Sequence, residues 1–330
     1  MTFPGRRPLP VPQSWPPTLM VVIDTEEEFD WNAPFDPGST QVRNIVEQPL
    51  SQAVLEAHGI CPTYVVDYPV AVSPEGRDIL GPMAASGRCT IGAHLHPWVT
   101  PPHEGPVDNY HSFAGNLPPS LERAKLLALT NAVEAGFGTR PVIYKAGRYG
   151  IGPATMSSLL ALGYRVDCSV VPFTDFSTDD GPDFSAIPDR PFLISERLVE
   201  MPLSVNFKGA VAAAGARLFP LTQSRLGQRL RLGGVAARVG LLERLRLSPE
   251  GHTLQDMVRQ TRAALAQGTR LFTLTYHSSS LLPGAAPYVR DEADRRAFLQ
   301  KLDGYCAHFM GPLGGRSGRV LDTAAALAGW

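Results

Sequence analysis

Leu19-Met20-Val21-Val22-Ile23 runs directly into Asp24-Thr25-Glu26-Glu27-Glu28. The first five residues read as a buried strand, and the next five set a cluster of carboxylates at its end. Charge at the rim of a sheet is costly unless a metal, a cation or a proton shares it. If residues 24–28 stay extended, Asp24, Glu26 and Glu28 point to one side. One of them can then hold a cation while another takes a proton.

The pattern recurs along the chain. Cys89-Thr90-Ile91-Gly92-Ala93 runs into His94-Leu95-His96, Pro141-Val142-Ile143-Tyr144 into Lys145, Tyr164-Arg165-Val166 into Asp167, and Leu271 to Tyr276 into His277. In barrels and open sheets of parallel strands the working residues sit at the carboxyl ends. Polar loops alone would produce some of these junctions. Five titratable endings favour a site.

Helical spacing separates the strands: Arg43–His58, Pro74–Ser86, Leu121–Ala135 stopped by Gly136, Ala154–Leu162, Thr253–Gln267 with Thr253 as N-cap, and Asp291 to about Phe309. Strands alternating with helices imply an α/β fold with a mostly parallel sheet. Residues 1–17 read as an irregular lead-in, 18–310 as one domain and 311–330 as a C-terminal tail. Residues 97–119 form a long Pro-, Gly- and Asn-containing loop, of a length usually functional or mobile. An insertion at about 207–250 carries, from Ala210 to Ser248, Arg217, Arg225, Arg229, Arg231, Arg238, Arg244 and Arg246 against a single acid, Glu243. It reads as a helical insertion with a solvated face, or as a docking surface for an anionic lipid or a phosphate-bearing substrate.

The chain has 330 residues, 44% hydrophobic and 18% charged, with a formal net charge of −1. This allows a large core and argues against nucleic acid as a partner. No apolar h-region opens the chain and no segment is long enough to span a bilayer, so a cytoplasmic location is expected. Cys61, Cys89, Cys168 and Cys306 show no CxxC spacing, which argues against a disulfide framework or a cysteine-bound zinc.

His94 and His96 share one side of a strand, so both rings can reach one ion. Imidazole with carboxylate suits Zn2+, with Co2+, Mn2+ or Fe2+ as alternatives. Three protein ligands would leave a position open for water. Glu27 and Glu28 read as loop surface, with Glu28 the better third carboxylate. Trp98 and Tyr149 suit either a sugar subsite or packing under the long loop. Ser278 to Ser280 lack a Gly-x-Ser-x-Gly elbow, and no dinucleotide fingerprint follows Lys145.

Val22-Ile23-Asp24-Thr25-Glu26, Ile91-Gly92-Ala93-His94, Lys145-Ala146-Gly147-Arg148-Tyr149, Asp167-Cys168-Ser169 and Tyr276-His277-Ser278 fall in the order of the NodB-homology polysaccharide deacetylase motifs. The chain resembles that family from about Thr18 to Phe309, most closely its WalW-like branch. The resemblance implies a distorted (β/α) barrel and metal-dependent hydrolysis of an N-acetyl group on a sugar. It casts Asp24 as the base, Glu26 and His94 as metal ligands, His277 as the general acid, and Asp167 as an acid near His277 that tunes it. Lys145 stands where the family has an arginine orienting the base, with Arg148 nearby. Trp98 stands where the family has its second histidine ligand, so His96 is the near substitute and His103 and His111 are the alternatives. The expected substrate is an amino sugar in a surface-glycan precursor, lipid- or nucleotide-linked, with peripheral membrane contact through the arginine-rich insertion. The rival readings are a non-catalytic glycan-binding or scaffold protein on the same barrel, and a hydrolase removing another acyl group such as formyl.

Overall fold

The computed structural model describes residues 3, 5–30 and 33–330, except the side chains of residues 213, 225 and 228. Residues 1, 2 and 4 of the lead-in and the Arg225 side chain lie outside that set. The fold is mixed α/β around a mostly parallel sheet. From one edge inward the strands are Arg7–Pro8, Phe192–Ser195, Leu198–Glu200, Val166–Asp167, Ile143–Ala146, Thr90–Leu95, Thr63–Val66, Thr18–Thr25 and Leu271–His277. Only the pairings at the Phe192–Ser195 strand are antiparallel within this path. The pairing of Arg7–Pro8 gives the stretch read as irregular a defined anchor.

Alternation along each strand separates two cores. Leu19, Val21 and Ile23 face the larger one, which the helices cover. Met20 and Val22 face a smaller one with Val65, Ile143, Val166 and Leu271. Continuing that second parity outward puts Asp24, Lys145 and His277 on the same side, at the carboxyl ends of their strands. The register aligns His277 with Asp24, and His94 with Lys145. Beyond the Leu198–Glu200 strand, single hydrogen bonds reach back toward the far edge: Ser204 N donates to Thr273 O and Thr275 N to Leu247 O.

Local chemistry explains several helix ends. Thr253 and Asp256 form a reciprocal capping box at the start of Leu254–Ala266. Gly163, at φ 90°, ends Thr155–Leu162. Gly136 does not stop its helix, which continues to Phe137 and ends at Gly138. A Cβ at Gly136 would lie 2.5 Å from Ala71 O, so this glycine serves a close helix approach. The expected Pro74–Ser86 helix runs unbroken to Ala85, widening into a π-turn over Gly76–Leu80 before Gly81–Ala85. Residues 311–330 are not a loose tail. Arg316–Ser317 pairs with the Thr18–Thr25 strand, and Val320 and Ala324 of the Val320–Ala328 helix complete the smaller core. No described helix is long and apolar enough to cross a membrane.

The long loop at 97–119 is fastened rather than loose. Gly115 N donates to Gly150 O at 2.7 Å, and Asn116 Nδ2 donates to Asp180 O at 2.8 Å. A Cβ at Gly115 would sit 2.1 Å from Gly152 N. Gly115→Ala should therefore destabilise the protein by about 1–3 kcal/mol, the usual cost of overpacking. Urea denaturation measures this, and an unchanged midpoint would contradict the tight crossing.

Candidate active site and metal centre

Four strands deliver the site. Asp24 closes the Thr18–Thr25 strand, and Glu26 follows it with its backbone N–H bonded to Ser278 Oγ at 3.1 Å. His94 lies in the Thr90–Leu95 strand and His96 just past it. Lys145 lies in Ile143–Ala146, and His277 ends Leu271–His277. Asp24, Glu26, His94, His96 and His277 line one cleft of about 300 Å³, with Tyr149, Phe176 and Tyr288 among its walls.

Glu26, His94 and His96 converge. The Nε2 atoms of both histidines are 3.4 Å from the same Glu26 Oε2. All three residues are buried and offer ligand atoms within 4.8 Å of one another. The outer nitrogen of each ring is engaged: His94 Nδ1 with Lys145 O at 2.9 Å, His96 Nδ1 with Glu27 Oε2 at 2.8 Å. Such partners fix each imidazole with Nε2 turned inward, the arrangement metal-binding histidines require. Two imidazoles and one carboxylate fit a divalent ion of the zinc type. His103 and His111 are not in this cluster; His111 pairs with Asp108 at 2.7 Å in the loop. Trp98, at the position of the missing histidine, is fully buried, stacks on His96 and donates from Nε1 to Glu27 Oε1 at 2.6 Å.

Glu27 is therefore not loop surface. It is 1% exposed, receives both Trp98 and His96, and lies beside Asp67. Burial, reinforced by the charge of Glu26, pushes its carboxyl up to about 8. Glu28 turns away from the cleft instead, pairing with Arg43 at 2.6 Å and accepting from Asn44 N.

Lys145 Nζ reaches both oxygens of Asp24 at 2.6 Å and Thr275 Oγ1 at 3.0 Å. One ammonium spans the carboxylate that an arginine fork would otherwise hold. Burial would raise the Asp24 pKa, but Lys145, His94 and His277 together hold it at about 2. Arg148 does not share that task. Its Nη1 donates to Asn109 Oδ1 and Ser112 Oγ, and its guanidinium lies 4.1 Å from the Phe113 ring centre, on the cleft wall. Arg148 and Tyr149 both hold positive φ, 52° and 59°, a costly turn that sets these two side chains at the mouth.

His277 lies 3.7 Å from Asp24 through Nε2. Asp167, expected to tune it, faces elsewhere. Val166 and Cys168 belong to the smaller core, so the intervening Asp167 projects to the opposite side, where Ser169 Oγ and N donate to it and Glu200 lies alongside. Glu250 takes the expected place. It meets His277 Nδ1 at 3.0 Å and accepts from His277 N and Ser280 Oγ. Burial would lower the imidazole pKa, but Glu250, Glu26 and Asp24 push it up to about 10. Glu250 itself is held at about 2; burial opposes this, and His277 and Arg246 outweigh it. The only cue to Glu250 in the sequence is an acid in a Pro-Glu-Gly run at the end of the insertion.

A histidine raised above its unfolded value contributes stability that is complete below about 6.5 and lost as pH rises through about 10. Glu250→Gln should return the His277 ring toward its ordinary range and flatten that alkaline limb. Histidine ring NMR and denaturation against pH, both on chelator-treated protein, report the two effects. An unshifted ring would refute the pairing.

No family model matches the chain, and no curated protein matches it either. Solved structures do. A protein from Mycobacterium smegmatis, provisionally named a polysaccharide deacetylase, is 18% identical, with 98% of this chain and 93% of that chain covered at a TM-score of 0.57. A family 4 acetyl xylan esterase from Clostridium thermocellum with a cobalt ion is 13% identical, covering 94% and 92%, at a TM-score of 0.44. A family 4 pseudoenzyme from Bacillus anthracis is 8% identical, covering 94% and 66%, at 0.46. The last two scores are too low to carry weight. The first shows that this chain shares its fold with the mycobacterial protein.

Proposed function

We propose that the chain is a metal-dependent hydrolase of the NodB-homology polysaccharide deacetylase type, removing an N-acetyl group from an amino sugar of a polysaccharide or surface-glycan precursor. The observation that carries this reading is the convergence of Glu26, His94 and His96 beside Asp24 and His277 in one cleft. The distorted barrel belongs to the same reading, supported by the bonds of Ser204 and Thr275 across the open side of the sheet. So does one domain with its insertion, to which the Arg7–Pro8 pairing and the C-terminal segment both contribute.

A divalent ion at Glu26, His94 and His96, with Zn2+ the best fit to the donors and Co2+, Mn2+ or Fe2+ as alternatives, would polarise the acyl carbonyl and make water more acidic. The chain's own groups supply the rest. Asp24 is an anion at neutral pH and accepts the proton of the attacking water. Lys145 fixes the direction of its two oxygens. As the C–N bond breaks, His277, a cation held by Glu250, gives its proton to the departing amine. Acetate and a free amino sugar leave. The aromatic faces of Tyr149 and Phe176, stacked 5.5 Å apart, offer a wall for a pyranose ring. A lipid- or nucleotide-linked saccharide suits the arginine-rich insertion, and peripheral membrane contact accompanies the first of these.

Protein loaded with zinc or cobalt should release acetate from N-acetylated amino sugars, and Asp24→Asn and His277→Ala should each lower kcat by about 10²–10⁴-fold. His94→Ala should lose stoichiometric metal by elemental analysis. A loaded chain that binds glycan but releases no acetate would mean a binding protein. Formate in place of acetate would identify a deformylase.

A further inference from the structure

Away from the cleft, the insertion forms a lobe of unusual surface chemistry. The antiparallel strands Val205–Lys208 and Glu243–Arg246 form its stem. Between them lie the helices Gly215–Gln223, Arg225–Arg229 and Leu232–Arg238. The lobe's own core is small, built on Phe207, Phe219 and Leu242. It leaves a large apolar surface uncovered: Leu221, Leu226, Leu230, Val235, Val239 and Leu241 are 45–69% exposed. Between the two stem strands the charge has one sign. Residues 209–242 hold five arginines and no aspartate or glutamate, and Arg217, Arg229, Arg231 and Arg238 are exposed. On the Leu232–Arg238 helix, Val235 and Arg238 are three residues apart, so a cation and an aliphatic side chain share a flank, with exposed Arg231 and Val239 at the two ends of the helix.

We propose that this lobe docks on an anionic phospholipid surface. Exposed leucines and valines can enter the boundary of the acyl chains while the guanidinium groups meet lipid phosphates, the division of labour of interfacial amphipathic helices. A second copy of the chain is a poorer occupant. Pairing the lobe with itself would set arginine against arginine, with no acid in residues 209–242 to offset the repulsion. Nucleic acid would meet the cations but leave the aliphatic groups in water.

The lobe's position gives the docking a purpose. Its stem ends at Arg246, which lines the catalytic cleft and donates to the Tyr149 hydroxyl. Arg244, two residues earlier, donates to Thr174 Oγ1 at 2.5 Å and fixes the stem to the domain. A lobe seated on a bilayer therefore holds the cleft beside the headgroups, where a lipid-linked saccharide presents its sugar. That last step rests on the hydrolase reading; the docking does not.

The test is co-sedimentation of the full chain with vesicles of phosphatidylcholine alone and of phosphatidylcholine with phosphatidylglycerol. Binding should require phosphatidylglycerol and weaken by about tenfold or more as salt is raised from low to high ionic strength. The triple variant Arg229→Glu, Arg231→Glu, Arg238→Glu should lose it, and Leu226→Ser with Val239→Ser should weaken it several-fold at equal charge. These positions are exposed, so an unchanged thermal melt is expected for both variants. Asp24→Asn should bind vesicles like the parent chain, which separates failure of docking from failure of catalysis. Equal sedimentation with both vesicle types, none with either, or binding retained by the triple variant would overturn the proposal. So would self-association in solution that the triple variant leaves intact while vesicle binding is missing.

Discussion

The bond between Lys145 and Asp24 sets the shape of the whole site. Two strands separate theirs in the sheet, so a flat sheet would hold the two backbones roughly 14 Å apart. Nζ nevertheless lies 2.6 Å from both carboxylate oxygens. The sheet must curl toward its smaller core for this contact to exist, and the same curl brings His94, two strands away, toward Asp24, whereas His277 is already aligned with Asp24 on the neighbouring strand. Lys145 is fully buried and Asp24 nearly so. Loss of either partner would leave an uncompensated buried charge, a penalty of about 3–5 kcal/mol. Thr275, on the strand beyond Asp24, accepts a further Lys145 bond and ties a third strand to the pair.

Around this bond the charges are sorted by partner. Asp24 and Glu250 are held as anions because each faces a cation across a short gap, and His277 is held as a cation because it lies between acids. Glu27 and Asp67 face each other with no such cation and are pushed toward their protonated forms, mainly by burial. As an anion, Glu27 accepts from both Trp98 Nε1 and His96 Nδ1, the state that leaves His96 Nε2 able to face an ion. The tryptophan that replaces an expected ligand thus becomes part of the scaffold for the histidine two residues before it.

Much of this was legible from local pattern. Alternation and strand-end chemistry located Asp24, Glu26, His94, His96, Lys145 and His277, because side-chain parity in a strand is a backbone property that needs no tertiary information. The same rule, followed one residue further, would have turned Asp167 away, since Val166 and Cys168 occupy the core side. Gly136 misled because a glycine near a helix end can serve termination or close packing, and only the neighbouring Ala71 carbonyl decides which. The segment after residue 310 showed no strand longer than two residues, so its place under the sheet was invisible in the chain.

The sequence by itself determined which residues stand at the ends of parallel strands and which side each faces, because both follow from a two-residue period. The tertiary structure alone decided which distant groups met them there. Glu250 lies 27 residues from His277, and Glu27 lies 69 from His96. That His96 rather than His103 or His111 lies beside Glu26 and His94 is likewise a matter of tertiary placement. Such pairings arise from the curl of the sheet and the crossing of loops, and no short-range periodicity encodes them.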